Sequence, residues 1–281
     1  MGTMIINMLN AIGEGVNNDI VKDLFTLPSA YNPQVYQTTL AIANLAVKPI
    51  ATVVLSIMML LELQKAARKA DGQRDAGTRL VFIVLLKTAF LFAIAANTDT
   101  ILNAIVEVTH QVMTAIQNAA PLSNVAGGQK LGDSMADAVN AAGFFGQIPL
   151  LIILLIPFIA SQAAVVTARV VIILRFVTLY ALTAFHPFPL MFIVHDDTRQ
   201  WGINYFRQYA IASFEAVTIY VSLLIYRAFL PSLTHAAAFK PGDDINAWAV
   251  GNFVNLLLAS VVLMMISTTA SGVAKKLFGG E

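Results

Sequence analysis

Polar punctuation divides the chain into apolar runs of two kinds, striped and continuous. Over residues 3–26, Ile5, Met8, Leu9, Ile12, Val16, Ile20 and Leu24 recur near helical spacing, and Asn7, Asn10, Glu14, Asn17, Asn18, Asp19 and Asp23 fill the other side. That stripe predicts one amphipathic helix, lying on a membrane surface or packed on a partner, and ended by Pro28 and the Asn32-Pro33 pair. A second stripe, Ile101, Ile105, Val108, Val112 and Ile116, is set against Asp99, Asn103, Glu107, His110, Gln111 and Gln117. It predicts an amphipathic helix that continues from the preceding run without a break and stops at Pro121. Residues 121–145, rich in Gly, Ala and Asn and carrying Asp133 and Asp137, read as a loop around one short helix.

The continuous runs predict membrane spans, because about 20 apolar residues at 1.5 Å each cross a hydrocarbon core of about 30 Å. They cover residues 38–63, 80–96, 148–184, 209–230 and 247–270. The third run offers no Gly, Pro or Asn at which to turn back near residues 165–175, so we read one long helix, about 55 Å in length. Pro149 suits its start and Pro157 a kink. His186-Pro187-Phe188-Pro189 breaks it, and the apolar stretch 190–194 is too short to cross and fits a re-entrant or interfacial segment. Residues 195–208 read as a polar connection and 231–246 as a loop. The predicted fold class is an all-α polytopic transmembrane bundle of about five spans. A segment of residues 1–35 precedes a transmembrane domain of residues 36–281, with an extracytoplasmic region at 97–147.

Composition sharpens this reading. Of 281 residues, 58% are hydrophobic and only 12% charged, and the mean hydropathy is +0.73. A soluble globule carries about twice that charge, so an ordinary cytosolic enzyme and a basic nucleic-acid-binding surface are both disfavoured. The net charge of +1 selects no partner, and the absence of Cys excludes disulfides and thiolate metal sites. Residues 1–30 lack the basic start and compact apolar core of a signal peptide, so insertion is expected from the internal spans.

The placement of basic residues gives an orientation. Residues 64–79 carry Lys65, Arg68, Lys69, Arg74 and Arg79 against Asp71 and Asp75, the mark of a cytoplasmic loop. Five spans then put the N-terminus outside and the C-terminus inside. Arg199, Arg207, Lys275 and Lys276 join the cytoplasmic set, leaving Lys22, Lys130 and Lys240 outside. Six spans would put Lys275-Lys276 outside and lose this agreement.

Lys48, Lys87, Arg169, Arg175 and Glu215 fall inside the apolar runs. A centred charge costs about 2.5–3.5 kcal/mol on insertion scales, so each must be paired, snorkel or face water. The structural expectation is burial of Lys48 against helix carbonyls freed by Pro49, and pairing of Lys87 with Glu215. The functional alternative is an aqueous path or a subunit interface. A proton relay normally shows several intramembrane acids, and only one is present. Ala160, Ala164 and Ala168 on the third span, and Gly251, Asn255 and Ala259 on the fifth, repeat every four residues and allow close helix packing within the chain or an oligomer. The four His, at 110, 186, 195 and 235, show no metal-ligand spacing, and no Walker, nucleophile-elbow or dinucleotide motif occurs. No catalytic residue, cofactor, metal or dedicated small-molecule ligand is expected.

Several local strings resemble the TrbL-like polytopic membrane proteins of conjugative type IV secretion systems, in the compact form found in Gram-positive mobile elements. They are Val47-Lys48-Pro49-Ile50, Glu62-Leu63-Gln64, the Lys87-bearing span followed by Asn97-Thr98, and above all FHPFPLMFIVHDDTRQWGINYFRQYAIASFEA. This last string contains Pro187-x-Pro189, a polar stretch, Trp201 and the Tyr205-Phe206 pair. The resemblance runs from about Tyr36 to the C-terminus, and the chain departs from it at Glu215, where Gln is usual. It implies a multi-pass subunit of the bacterial inner membrane, forming a channel or platform and assembling as a homo-oligomeric ring. Its implied partners are the lipid bilayer, other secretion-system subunits and translocated DNA or protein. Pro187, Pro189, Arg199, Trp201 and Arg207 would then form a helix break and a cytoplasmic contact. The readings kept beside it are a stand-alone channel or small-solute transporter, for which no inverted repeat is visible, and a non-conducting scaffold.

Overall fold

The computed structural model describes residues 1–15, 18–69, 74–122, 130–234, 239–240 and 242–279. Every regular element among them is helical. They run α1 Gly2–Glu14, α2 Asn18–Phe25, α3 Pro28–Tyr31, α4 Pro33–Ala41, a π-helical segment Ile42–Val47, α5 Lys48–Lys69, α6 Arg74–Ala96, α7 Thr98–Ala119, α8 Leu131–Ser134, α9 Ala136–Ala141, α10 Gly143–Ala184, α11 Phe188–Val194, α12 Arg199–Thr234 and α13 Ile245–Leu277. Among the described residues, four helices are long and apolar enough to cross a membrane: Pro33–Lys65, Gly143–Ala184, Arg199–Thr234 and Ile245–Leu277. A fifth crossing is available if Val81–Ile94 and Thr98–Ala119, bent by 59° at their junction, form one broken span.

The chain divides into two compact units. The first comprises residues 1–25, 110–174 and 215–281. Its core gathers Ile5, Met8, Leu9 and Ile12 of α1, Leu131 and Met135 around α8, Val139 of α9, Leu150 and Leu154 of α10, and Ile245, Ala249 and Leu256 of α13. The expected single helix over 3–26 is therefore two helices, interrupted at Gly15, whose φ of 63° is the left-handed conformation that favours glycine. Its apolar stripe does not lie free on a membrane but packs inside the chain. Asn10 fixes the dock. Its Oδ1 accepts from the Gly132 and Asp133 amides at 2.8 and 3.1 Å, and its Nδ2 donates to Asp133 Oδ1 at 2.8 Å.

The same unit shows how long apolar helices are tied by their few polar groups. Ser260 Oγ donates to the Pro157 carbonyl at 3.4 Å, Tyr226 Oη to the Ala259 carbonyl at 3.2 Å, and Thr218 Oγ1 to the Ala270 carbonyl at 3.1 Å. Buried Arg227 donates from a terminal nitrogen to the Leu122 carbonyl at 3.1 Å. The long third run is one helix, as expected, and it begins earlier, so Pro149 lies inside it rather than at its start. In place of one short helix, residues 131–141 form two, and α12 continues through Pro231 where a loop was expected.

The second unit comprises residues 26–109 and 175–214. The amphipathic segment ends at Phe25, ahead of Pro28 as expected, and Pro28 and Pro33 each open a further helix. Pro28 and Pro33 occupy first-turn positions, where the missing N–H costs nothing, and Asn32 Oδ1 caps α4 by accepting the Val35 amide at 3.1 Å. The Tyr31 ring stacks on Phe176 at 3.8 Å between centroids, and Tyr180 Oη donates to the Pro28 carbonyl at 2.8 Å. Buried Leu102, Leu179, Tyr209 and Ala212 form one apolar cluster, and Ala51, Leu55 and Met191 form another. Ahead of Pro49, which cannot donate to the carbonyl four residues back, the helix widens to a π-turn in which the Lys48 amide reaches Ala43.

Candidate functional site

Among the described residues, four close acid–base contacts gather where α11 meets α5 and α6. The break at 185–187 and the proline ring at Pro189 start α11 abruptly, and both Pro187 and Pro189 are buried. The helix is seven residues long, so it cannot cross a membrane and packs on its neighbours instead. Phe188, Met191 and Ile193 meet Ala51, Leu55 and Met58 of α5. Thr198 Oγ1 then donates to the Phe192 carbonyl at 2.8 Å, closing the turn that leads into α12.

This turn presents His195, Asp196 and Asp197 to the α5–α6 hairpin. Asp197 lies 3.6 Å from the Lys65 ammonium, and Asp196 lies 3.5 Å from that of Lys87. Both pairs are more than a third exposed, and where such a pair meets water it contributes about 0–1 kcal/mol. The His195 ring is more enclosed, with Nε2 at 3.9 Å from Glu62 Oε2 and Nδ1 at 3.5 Å from Asp197 Oδ2. These two contacts become ion pairs only when the imidazole is protonated. The arrangement is a light charge latch beside the apolar seat that holds a short helix on a hairpin.

The partner of Lys87 is thus Asp196, where Glu215 was expected. Lys48 is exposed rather than buried against freed carbonyls. Arg169 is exposed, whereas Arg175 is buried, its Nε donating to the Ala212 carbonyl at 3.2 Å and its guanidinium lying 4.9 Å over the Phe176 ring. Glu215 is half-buried. Ala164 and Ala168 are buried within the first unit, with Ala160 at their edge. On α13 the small-residue face grades from exposed Gly251 through Asn255 to fully buried Ala259.

Residues 195–208 are not one polar connection. Only 195–198 form a turn, and Arg199, Trp201 and Arg207 lie exposed on the first turns of α12. Trp201 packs edge-on against Phe192 at 5.4 Å. The expected basic loop at 64–79 is mostly helical as well, with α5 continuing to Lys69 and α6 beginning at Arg74. His235 lies outside the described residues. Among the described residues, no group of three or more acidic or His side chains converges as a metal site.

Sequence reasoning missed Glu62, His195, Asp196 and Asp197 as a cluster, and it missed Gly132 and Gly202 as contact points. The available signal was the His-Asp-Asp triplet directly after a segment too short to span.

The family described as TrbL/VirB6 plasmid conjugal transfer like protein matches residues 15–187. The match begins before Tyr36 and ends at Pro187, so the string that carried most of the resemblance, from Phe188 onward, lies beyond it. No curated relative matches the chain. The match covers more than half of the chain, which therefore belongs to the TrbL/VirB6 conjugal transfer family.

Proposed function

We propose that this multi-pass membrane component of a conjugal transfer, type IV secretion machine is its inner-membrane channel or platform subunit, oligomerising around the path of transferred DNA or protein. Family membership supplies the machine and the need for other transfer-system subunits. The observation that carries the finer reading is that long apolar helices leave large side chains open to the outside. Ile152, Ile156, Ile159 and Val166 on α10, and Val250, Val254 and Met265 on α13, are 56–69% exposed. Such faces suit hydrocarbon or neighbouring subunits.

In this reading the N-terminus is external, and the end of the hairpin carrying Lys65, Arg68 and Arg79 faces the cytoplasm with Arg199, Arg207 and the C-terminal Lys275-Lys276 pair. Solute transport by the chain alone has no supporting observation, and no chemical step is assigned to any residue.

Site-specific cross-linking during transfer, combined with a subunit count in lipid nanodiscs, tests the proposal. Contact with the transferred strand or protein and a closed homo-oligomer are expected. A clean monomer that never touches cargo overturns it. Lys87→Ala, or Arg199→Glu combined with Arg207→Glu, is expected to lower transfer frequency about tenfold while membrane levels hold, because exposed charges contribute little to stability. Normal transfer with both variants would remove these residues from the mechanism.

A further inference from the structure

We propose, resting on the channel reading, that one face of the first membrane helix is the water-filled lining past which an anionic polymer moves, with Lys48 as its central cation. Successive fourth residues divide this helix into stripes. Ala43, Val47, Ala51 and Leu55 are buried within the unit. Val53, Ile57 and Leu61 are apolar and 44–60% exposed, as hydrocarbon-facing side chains should be. Between these stripes run Asn44, Lys48, Thr52 and Ser56, all exposed and all polar. A helix that faced lipid all round would not collect its polar residues on one exposed line.

Lys48 is the decisive member. It lies near the middle of the 33-residue helix Pro33–Lys65, which, centred in a hydrocarbon core of about 30 Å, places it about 15 Å from either boundary. A lysine stem of about 6 Å cannot carry its ammonium from there to a headgroup. Neither Lys48 nor Asn44 has a hydrogen bond or ion pair from its side chain among the described residues. The Thr52 and Ser56 hydroxyls donate to the carbonyls one turn back, at 2.9 and 3.0 Å, and still offer lone pairs outward. Both also line a groove of about 390 Å³ shared with Leu85, Thr88, Ala89 and Phe92 of α6.

An uncompensated ammonium at mid-membrane depth, flanked by amide and hydroxyl groups, calls for water and for negative charge passing by. Rings of Lys or Arg are how pores favour phosphate-bearing species. A phosphodiester chain is therefore the cargo chemistry that this face fits, and symmetric copies would turn one lysine into a ring.

The chain has no Cys, so single thiols report cleanly. Full-length Asn44→Cys, Lys48→Cys, Thr52→Cys and Ser56→Cys proteins, in cells carrying the transfer machine, would be treated with a membrane-impermeant cationic methanethiosulfonate. Val53→Cys and Ile57→Cys serve as controls. Only a thiolate in water reacts, so the four stripe positions are expected to label about tenfold faster than the controls. Equal or absent labelling, as when a second copy's carboxylate or lipid covers Lys48, overturns the inference. Lys48→Glu is expected to lower DNA transfer about tenfold with membrane level retained, and Lys48→Arg to stay within about threefold of the parent. Unchanged transfer by Lys48→Glu overturns the cationic role. Should Lys48→Glu fail to accumulate, Lys48→Gln takes its place under the same criterion. Thiol labelling does not depend on the cargo cross-link that tests the channel reading, so failure of one is distinguishable from failure of the other.

Discussion

Gly132→Ala is expected to undock α1. A Cβ built at Gly132 falls 2.0 Å from the Ile6 carbonyl oxygen and 2.9 Å from Asn10 Oδ1. The first of these is backbone and cannot swing aside as a side-chain tip can. The two helices must therefore separate, against a core in which Ile5, Leu9 and Ile12 are at most 1% exposed. Overpacking at such a contact costs about 1–3 kcal/mol or more, and here it also stretches the three hydrogen bonds of Asn10. Thermal unfolding in detergent, with limited proteolysis of the N-terminal segment, provides the measurement. A lowered Tm and earlier cleavage between α1 and α2 are expected, and an unchanged Tm would show that the contact yields freely. Asn10→Ala gives a graded comparison at about 1–2 kcal/mol, since it removes the bonds without adding a clash.

Gly202→Ala is expected to lift α11 from its seat and open the charge latch. Its Cβ would meet the Pro189 carbonyl oxygen and Ile193 Cγ1, both at 2.4 Å. Pro189 is buried and held by its own ring, so the strain falls on the position of α11. Moving α11 carries His195, Asp196 and Asp197 away from Glu62, Lys65 and Lys87. A disulfide engineered between Leu55→Cys and Met191→Cys, which share one apolar cluster, reports on seating. Efficient cross-linking in the parent and a loss of about fivefold or more with alanine at 202 are expected. Equal cross-linking in both would show that α11 tolerates the added methyl.

The sequence made the long elements legible because their signal is local. The apolar run of 148–184 carries Pro149 and Pro157 but no turn residue near 165–175, which reads as one long helix, and the structure has one. What it did not make legible depends on residues distant in the chain. Asn10 and Gly132 meet across more than a hundred residues, and nothing near either one announces the other. The α1 stripe fits a membrane surface or a partner equally, because amphipathicity shows only that a face is covered, not by what. Elimination pairs Lys87 with Glu215, the single acid inside an apolar run, whereas the ammonium reaches Asp196 in a turn that reads as part of a connection. Residues 199–208 read as irregular because they are polar, yet a polar stretch with no Pro and a single Gly, Gly202, is compatible with the first turns of a helix. Orientation rests on charge asymmetry alone.

The π-helical segment at Ile42–Val47 has a consequence for how the first membrane helix is geared. A turn closed through five residues rather than four holds one residue more than an α-turn, so it sets the rotational phase between the halves of the helix. Upstream of it, Tyr36 Oη donates to Asn103 Oδ1 at 3.3 Å, and downstream, Ala51 and Leu55 seat α11. Excising a single residue such as Ala46 would let the ladder heal into a plain α-helix and turn one half by about 100° against the other. Either the tyrosine or the seat for α11 would then lose its partner. The segment is thus a phase adjuster, by which one continuous rod satisfies two sets of neighbours that no regular helix could face at once.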